Sequence, residues 1–334
     1  MLQYLSLPKD LCCANTYHII GRVKNMQSKK LVIIISMLVT ASAFPIFTTS
    51  VASDGNTIYV DDDGGADYTK IQDAINAADN GDTIFVYDGT YYEMIVIDKS
   101  ITLQGEDKTC TIIDGGKQGH VIEVFAEHVT ISDFTIQNSM HQHNGINIYS
   151  SYNIIENNII QNNERDAIFL NSCPSDSYWR LAPCHNLIVG NIIKNNKGKG
   201  ISMWGGEIFF PNYRNIGINL DAINNTIIYN IIEDNHHGVY LAAATRETII
   251  ELNEFKGNNI SVAPMYSRFN KITKNNFLGS EPFFQSGINE WNENYWGQPL
   301  DAPKRIIGRI GYFGIVPWFN FDENPAQEPY DIGR

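Results

Sequence analysis

The sequence has few basic residues, few cysteines and only one long apolar run. It holds 24 lysines and arginines against 37 aspartates and glutamates, which gives a formal net charge of −13. Nucleic acid and an anionic membrane surface both require basic neutralisation, so the whole-chain charge argues against these partners. It also argues against an acidic polysaccharide, unless a local basic patch or bound cations intervene.

The one long apolar run lies near the amino terminus, from Leu31 to Phe44, behind two lysines. It is too short and too early for a membrane span, and the small residues that a signal peptidase reads follow it. We therefore predict a signal peptide at 26–52, preceded by a misassigned upstream extension at 1–25. A retained N-terminal anchor is the alternative. The prediction describes a secreted or cell-surface protein with no membrane span in the mature chain.

Three of the five cysteines lie beyond that segment. Cys173 and Cys184 bracket an insertion, and an oxidising compartment permits a disulfide between them. Two buried free thiols are the alternative. Cys110 is expected to be a small buried residue in an apolar strand.

What the sequence does contain is a repeated block of asparagine and isoleucine. Asn157–Asn163 recurs as Gly190–Asn196 after 33 residues and as Tyr229–Asn235 after 39 more, and a weaker copy follows 23 residues later. The short spacing is the basic period, and the longer spacings carry insertions. A second repeat, a small residue followed by apolar-x-apolar, runs in step with the first: Gly145–Ile148, Ala167–Leu170, Gly200–Met203 and Gly238–Leu241.

Such short strands cannot cover a core alone. Stacked in register at about 4.8 Å per coil, they form parallel sheets with isoleucines inside. Asparagine suits the turns because it tolerates a left-handed backbone, and stacked amides can hydrogen-bond along the axis. We predict an all-β, right-handed parallel β-helix of about eight coils at 83–288, with insertions near 173–184 and 205–219.

Both ends of the predicted stack need caps, since they expose strand edges. At 53–82 we predict a strand and a helix that opens with a capping box at Thr69–Gln72 and buries Ile71, Ala74 and Ile75. The tail at 289–334 is rich in aromatic residues and proline, which predicts an irregular aromatic cap. A separate sugar-binding appendage is the alternative for this tail.

Seven short stretches carry a family resemblance: Tyr59–Gly65, Ile71–Ile75, Thr83–Val86, Gly89–Tyr91, Ile101–Gly105, Asn294–Gly297 and Pro317–Phe319. They resemble the right-handed β-helix repeat proteins of the NosD-like, carbohydrate-associated group within the pectin-lyase-like superfamily, of the archaeal cell-surface type. The likeness spans about 57–334 and implies the fold. It implies almost nothing about function, because the superfamily holds lyases, hydrolases, esterases, adhesins and metal-maturation accessory proteins.

Candidate chemistry lies just before the repeated strands, where we predict a column of His143, Asp166, Lys199 and His237 along the axis. His143, Asp166 and His237 are the catalytic candidates, because such clusters move protons or bind metals. A row of solvated turn residues is the alternative. No metal site or cofactor is predicted, although Asp61–Asp63 leaves calcium open against a solvated acidic loop.

Strand alternation also predicts an outward aromatic track, with a ring or an amide on each coil. Its predicted ligand-binding members are Tyr149, Phe169, Asn171, Trp204 and Tyr240. Rings offer flat apolar faces to sugars, and the insertions would either wall a cleft above them or fold down as a satellite core.

The leading functional prediction is therefore an exported, non-enzymatic protein that interacts with carbohydrate or the cell envelope. A polysaccharide lyase or glycoside hydrolase and a NosD-like metal-handling protein are the alternatives.

Overall fold

The computed structural model describes residues 55–171, 182–205, 221–311 and 314–333, all within one compact unit that spans Val51–Arg334. These residues form thirty strands and one helix, α1 (Ile71–Ala77). No helix among them is long and apolar enough to cross a membrane. The predicted signal segment, most of both insertions and Cys173 lie outside the described residues.

Three long parallel sheets run along the axis, and each coil contributes one strand to each sheet in turn. Sheet A comprises β1 (Thr57–Val60), β2 (Thr83–Val86), β5 (Thr102–Gly105), β8 (Thr130–Ser132), β11 (Ile154–Glu156), β14 (Leu187–Val189), β18 (Thr226–Ile228), β22 (Ile249–Glu251), β25 (Lys271–Thr273) and β28 (Glu290–Asn292). Sheet B comprises β3 (Gly89–Tyr91), β6 (Thr111–Asp114), β9 (Thr135–Gln137), β12 (Ile159–Gln161), β15 (Ile192–Lys194), β19 (Ile231–Glu233), β23 (Glu254–Lys256) and β26 (Asn276–Leu278).

Sheet C comprises β4 (Ile95–Ile97), β7 (Ile122–Val124), β10 (Ile146–Ile148), β13 (Ile168–Asn171), β16 (Lys199–Trp204), β20 (His237–Leu241) and β24 (Ile260–Pro264). A short parallel pair is formed by β17 (Ala222–Ile223) and β21 (Thr245–Arg246). The terminal sheet comprises β27 (Phe284–Gln285), β29 (Lys304–Ile310) and β30 (Val316–Asp322). This architecture confirms the predicted right-handed parallel β-helix.

The core is a set of aliphatic columns inside the three sheets. In sheet A, Ile155, Ile188, Ile227 and Ile250 pair in register on successive coils, and all four are fully buried. Each such side chain contributes roughly 1.5–3 kcal/mol relative to an exposed position. Because side chains alternate, the neighbours of each core residue face outward, and these are the positions available for a site.

Buried asparagines join the coils at the turns, as the sequence predicted. In the longest ladder each asparagine donates its backbone N–H and its side-chain amide to the Oδ1 of the asparagine one coil further on. For Asn158 and Asn191 these distances are 2.9 and 3.2 Å. The ladder runs through Asn158, Asn191, Asn230, Asn253, Asn275 and Asn294.

The ladder ends on a carboxylate. Asp322, which is fully buried, accepts from the backbone N–H of Asn294 at 2.9 Å, from its side-chain amide at 3.0 Å and from the indole of Trp296 at 3.1 Å. Every asparagine of the ladder donates towards the carboxyl end. The last one, Asn294, therefore needs a partner that accepts hydrogen bonds and does not have to donate one further on. A carboxylate meets this requirement, because it is acceptor-only when ionised.

Helix α1 closes the amino end, but its predicted capping box is wrong. Lys70 is the N-cap and makes no side-chain capping bond. Instead the Glu93 carboxylate accepts from the backbone N–H groups of Ile71 and Gln72 at 2.8 and 2.9 Å. The carboxylate of Glu93 thus takes the place of a local cap. Its negative charge is also stabilised by the positive end of the helix dipole.

Two smaller expectations also change. Cys110 is exposed in the turn before β6, because the apolar strand starts one residue later. The aromatic tail is more regular than expected, since β29 and β30 form an antiparallel hairpin of two seven-residue strands. The tail still covers the last coil through Trp296, which stacks on Phe277 at 4.6 Å.

Candidate functional site on the outer face of sheet C

The outer face of sheet C brings the predicted aromatic track together in two columns. Strand pairing places Asn147, Phe169, Ser202 and Tyr240 in one register. The second column lies two residues further along each strand and includes Asn171 opposite Trp204. All five predicted ligand-binding residues therefore lie on one face of one sheet.

The two columns differ in how far they reach solvent. In the first column Asn147 and Phe169 are 2% and 7% exposed and Ser202 is fully buried, while Tyr240 is half-buried. In the second column Tyr149, Asn171 and Trp204 are all half-buried. The face is therefore not an open row of four rings. Its more accessible edge is the second column.

Ring contacts hold the accessible column in place. Tyr149 stacks on Phe125 of the preceding coil, with ring centroids 4.8 Å apart and planes at 4°. Asn147 donates its side-chain amide to the Tyr149 hydroxyl at 2.6 Å. Trp204 meets Phe169 edge-on at 6.1 Å. Phe125 belongs to this column by register, and the apolar-x-apolar pattern of its coil, Ile122–Val124, is the signal that would have found it.

The column before the strands contains Asp166, Lys199 and His237 in register as predicted, but its first predicted member, His143, is wrong by one residue. The residue that precedes β10 in register with Asp166 is Asn144, whose Oδ1 accepts from the Asp166 backbone N–H at 3.3 Å. His143 lies one position earlier, against the ring of His120 at 4.7 Å. His120 is a column member that the sequence reasoning missed, because Val121 stands in its coil where the other coils have glycine or alanine.

Asp166 is the best-connected acid on this face. It is 1% exposed and accepts from the Ser202 hydroxyl at 2.6 Å and from the Lys199 backbone N–H at 2.9 Å. The Lys199 ammonium lies 3.7 Å from the same carboxylate. These contacts join two coils, so the Asp166 carboxylate is a structural anchor with its oxygens already engaged.

His237 lies on the next coil, paired in register with Lys199. Burial, together with the nearby His236 and Lys199, lowers the pKa of His237 to about 4, so the imidazole is neutral at pH 7. Its ring is 5.8 Å from that of Tyr240, and the Lys199 ammonium lies 5.1 Å from the Tyr240 centroid. Burial and the charge of Asp166 raise the pKa of Tyr240.

The three catalytic candidates do not converge. His143 precedes β10 and His237 opens β20, which is three strands along sheet C. At about 4.8 Å per coil this separation is about 14 Å, far beyond hydrogen-bond reach. His143 neighbours His120 instead, and burial with the charge of His143 lowers the pKa of His120 to about 4.

The acidic loop near the amino end has its carboxylates engaged with backbone. Asp67 accepts from the Tyr59 N–H at 2.9 Å, Asp62 from the Thr90 N–H at 3.1 Å and Asp61 from the Asp63 N–H at 3.1 Å. These bonds fit the solvated-loop interpretation better than calcium, which needs oxygens directed at one point.

The stacked sheets and turn ladders define a right-handed parallel β-helix of the pectin-lyase-like type. Within that class the chain belongs to the NosD family, described as "Periplasmic copper-binding protein (NosD)", which it matches over residues 49–311. No curated protein matches the chain.

Solved structures share the fold at low identity. An alginate lyase from Paenibacillus sp. str. FPU-7 is 13% identical with a TM-score of 0.44, and the match covers 82% of this chain and 98% of that one. The pectate lyase Pel9A is 12% identical with a TM-score of 0.46, covering 75% and 82%. A pectin methylesterase from carrot is 14% identical with a TM-score of 0.40, covering 73% and 84%.

The family description raises the question of a copper site. Among the described residues, no group of three or more His, Cys, Asp or Glu side chains is arranged to hold a metal ion. Two histidine pairs exist, His120 with His143 at 4.7 Å and His236 with His237 at 4.4 Å between ring centroids. Copper(II) favours about four nitrogen or oxygen ligands in a tetragonal plane, so neither pair alone makes a complete site.

Proposed function

We propose that this protein is an exported, non-enzymatic β-helix protein that binds a polysaccharide or another cell-envelope glycan on the outer face of sheet C. Export is supported by the apolar segment behind two lysines and by a family described as periplasmic. Secretion or display at the cell surface is the location that suits an envelope ligand.

The observation that carries the proposal is the in-register column of Tyr149, Asn171 and Trp204, with Phe125 beneath it. Rings give flat apolar faces on which sugar rings can stack. Successive coils repeat at about 4.8 Å, close to the length of one pyranose unit, so an extended glycan can meet one coil per sugar.

The absence of catalysis is supported by how the candidate acid is used. Asp166 already accepts hydrogen bonds from Ser202 and Lys199, and His143 and His237 lie about 14 Å apart at the coil spacing. A general acid and base must both reach the reacting bond. Binding without turnover is therefore the function that this arrangement supports best.

Affinity electrophoresis against a panel of polysaccharides, followed by a glycan array, tests the proposal. Trp204→Ala should weaken binding roughly tenfold through loss of one stacking contact, while Trp204→Phe should retain most of it. Tyr92→Ala is the matched control, because Tyr92 is 75% exposed and lies outside sheet C. Failure of the unaltered chain to bind any polysaccharide would refute the proposal.

Lyase or hydrolase activity can be tested with the same panel of polysaccharides. Release of unsaturated or reducing sugar ends by the unaltered chain, abolished in Asp166→Asn, would replace the binding proposal with an enzymatic one. The variant needs a circular dichroism spectrum equal to that of the unaltered chain, since Asp166 also joins two coils.

Copper handling is the second candidate, and the family description is what favours it. If the protein carries copper, the metal should remain after dialysis and fall when His236→Asn and His237→Asn are combined. Glycan binding that is unaffected by a chelator would separate the two functions.

A further inference from the structure

The carboxyl-terminal end of the β-helix carries a large set of exposed apolar side chains, which we call the terminal apolar surface. Its members are between 39% and 75% exposed: Tyr266, Phe269, Ile288, Ile307, Ile315, Val316, Trp318, Phe319 and Phe321. Exposed apolar side chains gathered at one end of a protein indicate an interaction site.

Hydrogen bonds show that these side chains belong to one region. The Phe269 N–H donates to the Ile288 carbonyl at 2.6 Å, which places the two turns side by side. Ser286 donates its N–H to the Arg309 carbonyl at 2.7 Å and its hydroxyl to the Gly311 carbonyl at 3.2 Å. The carboxyl end of β29 therefore lies beside the turn that bears Ile288.

The hairpin exposes apolar groups on both of its faces. Phe319 pairs with Ile307, and Phe321 pairs with Arg305 on the same face. Trp318 lies on the opposite face, opposite Gly308. β30 is also the edge strand of its sheet, and Val316 and Trp318 at its beginning are 47% and 52% exposed.

The charge of this surface is opposite to that of the chain. Arg268, Arg305 and Arg309 lie among the apolar groups, and none of them makes an ion pair with a carboxylate of the described residues. Arg268 lies over the Phe269 ring at 5.8 Å and Arg305 over the Phe319 ring at 4.7 Å. Asp322 of the hairpin is buried in the ladder, and the exposed Glu290, two residues after Ile288, lies 3.9 Å from the Lys271 ammonium.

We infer that the terminal apolar surface docks the protein on an anionic lipid bilayer. Aliphatic and aromatic side chains enter the boundary between headgroups and acyl chains, and tryptophan favours that boundary. Guanidinium groups bind lipid phosphates in a bidentate manner, and each basic group near such a membrane contributes about 1 kcal/mol. The whole-chain charge of −13 does not prevent this, because charges more than a Debye length of about 8 Å away are screened.

Other occupants fit less well. A sugar needs hydrogen-bond acceptors as well as donors, and the polar groups on the Phe319 face are arginines, which only donate. A second copy packed about a two-fold axis would oppose this basic face with itself, and like charges across an interface are destabilising. The inference is independent of the glycan-binding proposal, since sheet C takes no part in it.

Trp318 provides a direct probe in the full chain. Its contribution is the difference in fluorescence between the unaltered chain and Trp318→Phe, and residues 1–54 contain no tryptophan to confuse it. Vesicles of phosphatidylcholine with a third of phosphatidylglycerol, both brominated on the acyl chains, should quench this contribution. Vesicles of phosphatidylcholine alone should quench the Trp318 fluorescence far less. In the anionic vesicles, 1 M salt should restore that fluorescence.

Combining Arg268→Gln with Arg309→Gln should raise the lipid concentration for half-quenching roughly 30-fold. The matched control combines Lys194→Gln with Lys256→Gln, which removes the same charge from sheet B and should leave quenching unchanged. An unquenched Trp318 in anionic vesicles would overturn the inference, even if an N-terminal segment holds the chain on the vesicle. Concentration-dependent dimerisation that shifts the Trp318 emission without lipid would overturn it in favour of a second copy.

Discussion

The asparagine ladder leads to a sharp prediction for Asn230, a fully buried residue in its middle. Its Oδ1 accepts from the backbone N–H and the side-chain amide of Asn191, both at 3.0 Å. Its own amide donates to the carbonyls of Ile188 and Ile228 at 2.9 and 3.0 Å and to Asn253 at 3.0 Å. Asn230→Ala removes all five bonds and leaves their partners buried.

The expected loss follows from the partners that remain. A buried donor or acceptor left without a partner costs about 1–3 kcal/mol, and the Asn191 backbone N–H cannot rotate to find another. The carbonyl oxygens of Ile188 and Ile228 have a second lone pair and a ladder bond. Removing the Asn230 amide from them therefore costs less. We expect Asn230→Ala to lower the free energy of unfolding by about 4 kcal/mol, including the small cavity that forms.

Urea unfolding followed by far-ultraviolet circular dichroism measures this loss in the full chain. Asn76→Ala is the matched control, because Asn76 is exposed in helix α1 and accepts one bond, from Gln72. It should change the free energy of unfolding by less than about 0.5 kcal/mol. If Asn230→Ala behaves like this control, the ladder does not stabilise the fold as argued.

The direction of the ladder adds a second comparison. Asn230→Asp keeps an acceptor for Asn191 but faces the acceptor oxygens of Ile188, Ile228 and Asn253 with no donor. It should therefore destabilise at least as much as Asn230→Ala at pH 7. The same carboxylate is favourable at Asp322 only because the ladder ends there.

Three further predictions follow from local contacts. Asp322→Ala should lower the free energy of unfolding by about 3 kcal/mol, seen in the same urea experiment, because Asn294 and Trp296 lose their shared acceptor. Tyr229→Gly should stabilise the fold by about 0.5–1 kcal/mol and so raise the thermal midpoint slightly. The reason is that Tyr229 is 41% exposed and has a φ of 57°, which costs energy for any residue except glycine. An unchanged or lower midpoint would contradict this. The pKa values of His120 and His237 are lowered to about 4, so the unfolded chain binds more protons and stability should fall as pH drops from about 6.5 to about 4. A scan of thermal midpoint against pH should show a smaller acid loss in His120→Gln and His237→Gln than in the unaltered chain.

Register was predictable from sequence where the pattern repeats strictly. The spacing of the asparagine blocks was enough to place Asn158, Asn191 and Asn230 on one ladder, because only stacked coils bring such residues together. Where Val121 replaces the usual small residue, the pattern failed and His120 was missed. The coil of His143 has the usual glycine at Gly145, and the residue directly before that glycine is Asn144, which takes the position predicted for His143.

Burial on the outer face was not predictable in the same way. Alternation showed that Tyr149, Phe169, Trp204 and Tyr240 point away from the core, and the structure places them on one face. Yet Phe169 is only 7% exposed, whereas Tyr149, Trp204 and Tyr240 are half-buried. Exposure depends on what the rest of the chain packs against that face, and strand periodicity carries no information on this.

The sequence by itself determined the architecture of this protein. A period of about 22 residues with paired asparagines can bury its isoleucines only by stacking coil on coil. The tertiary structure alone decided the long-range contacts: the Glu93 cap on helix α1, the Asp322 end of the ladder and the arginines gathered at the terminal hairpin. Each joins residues from different coils or from the tail, and local periodicity does not encode which distant side chain arrives there.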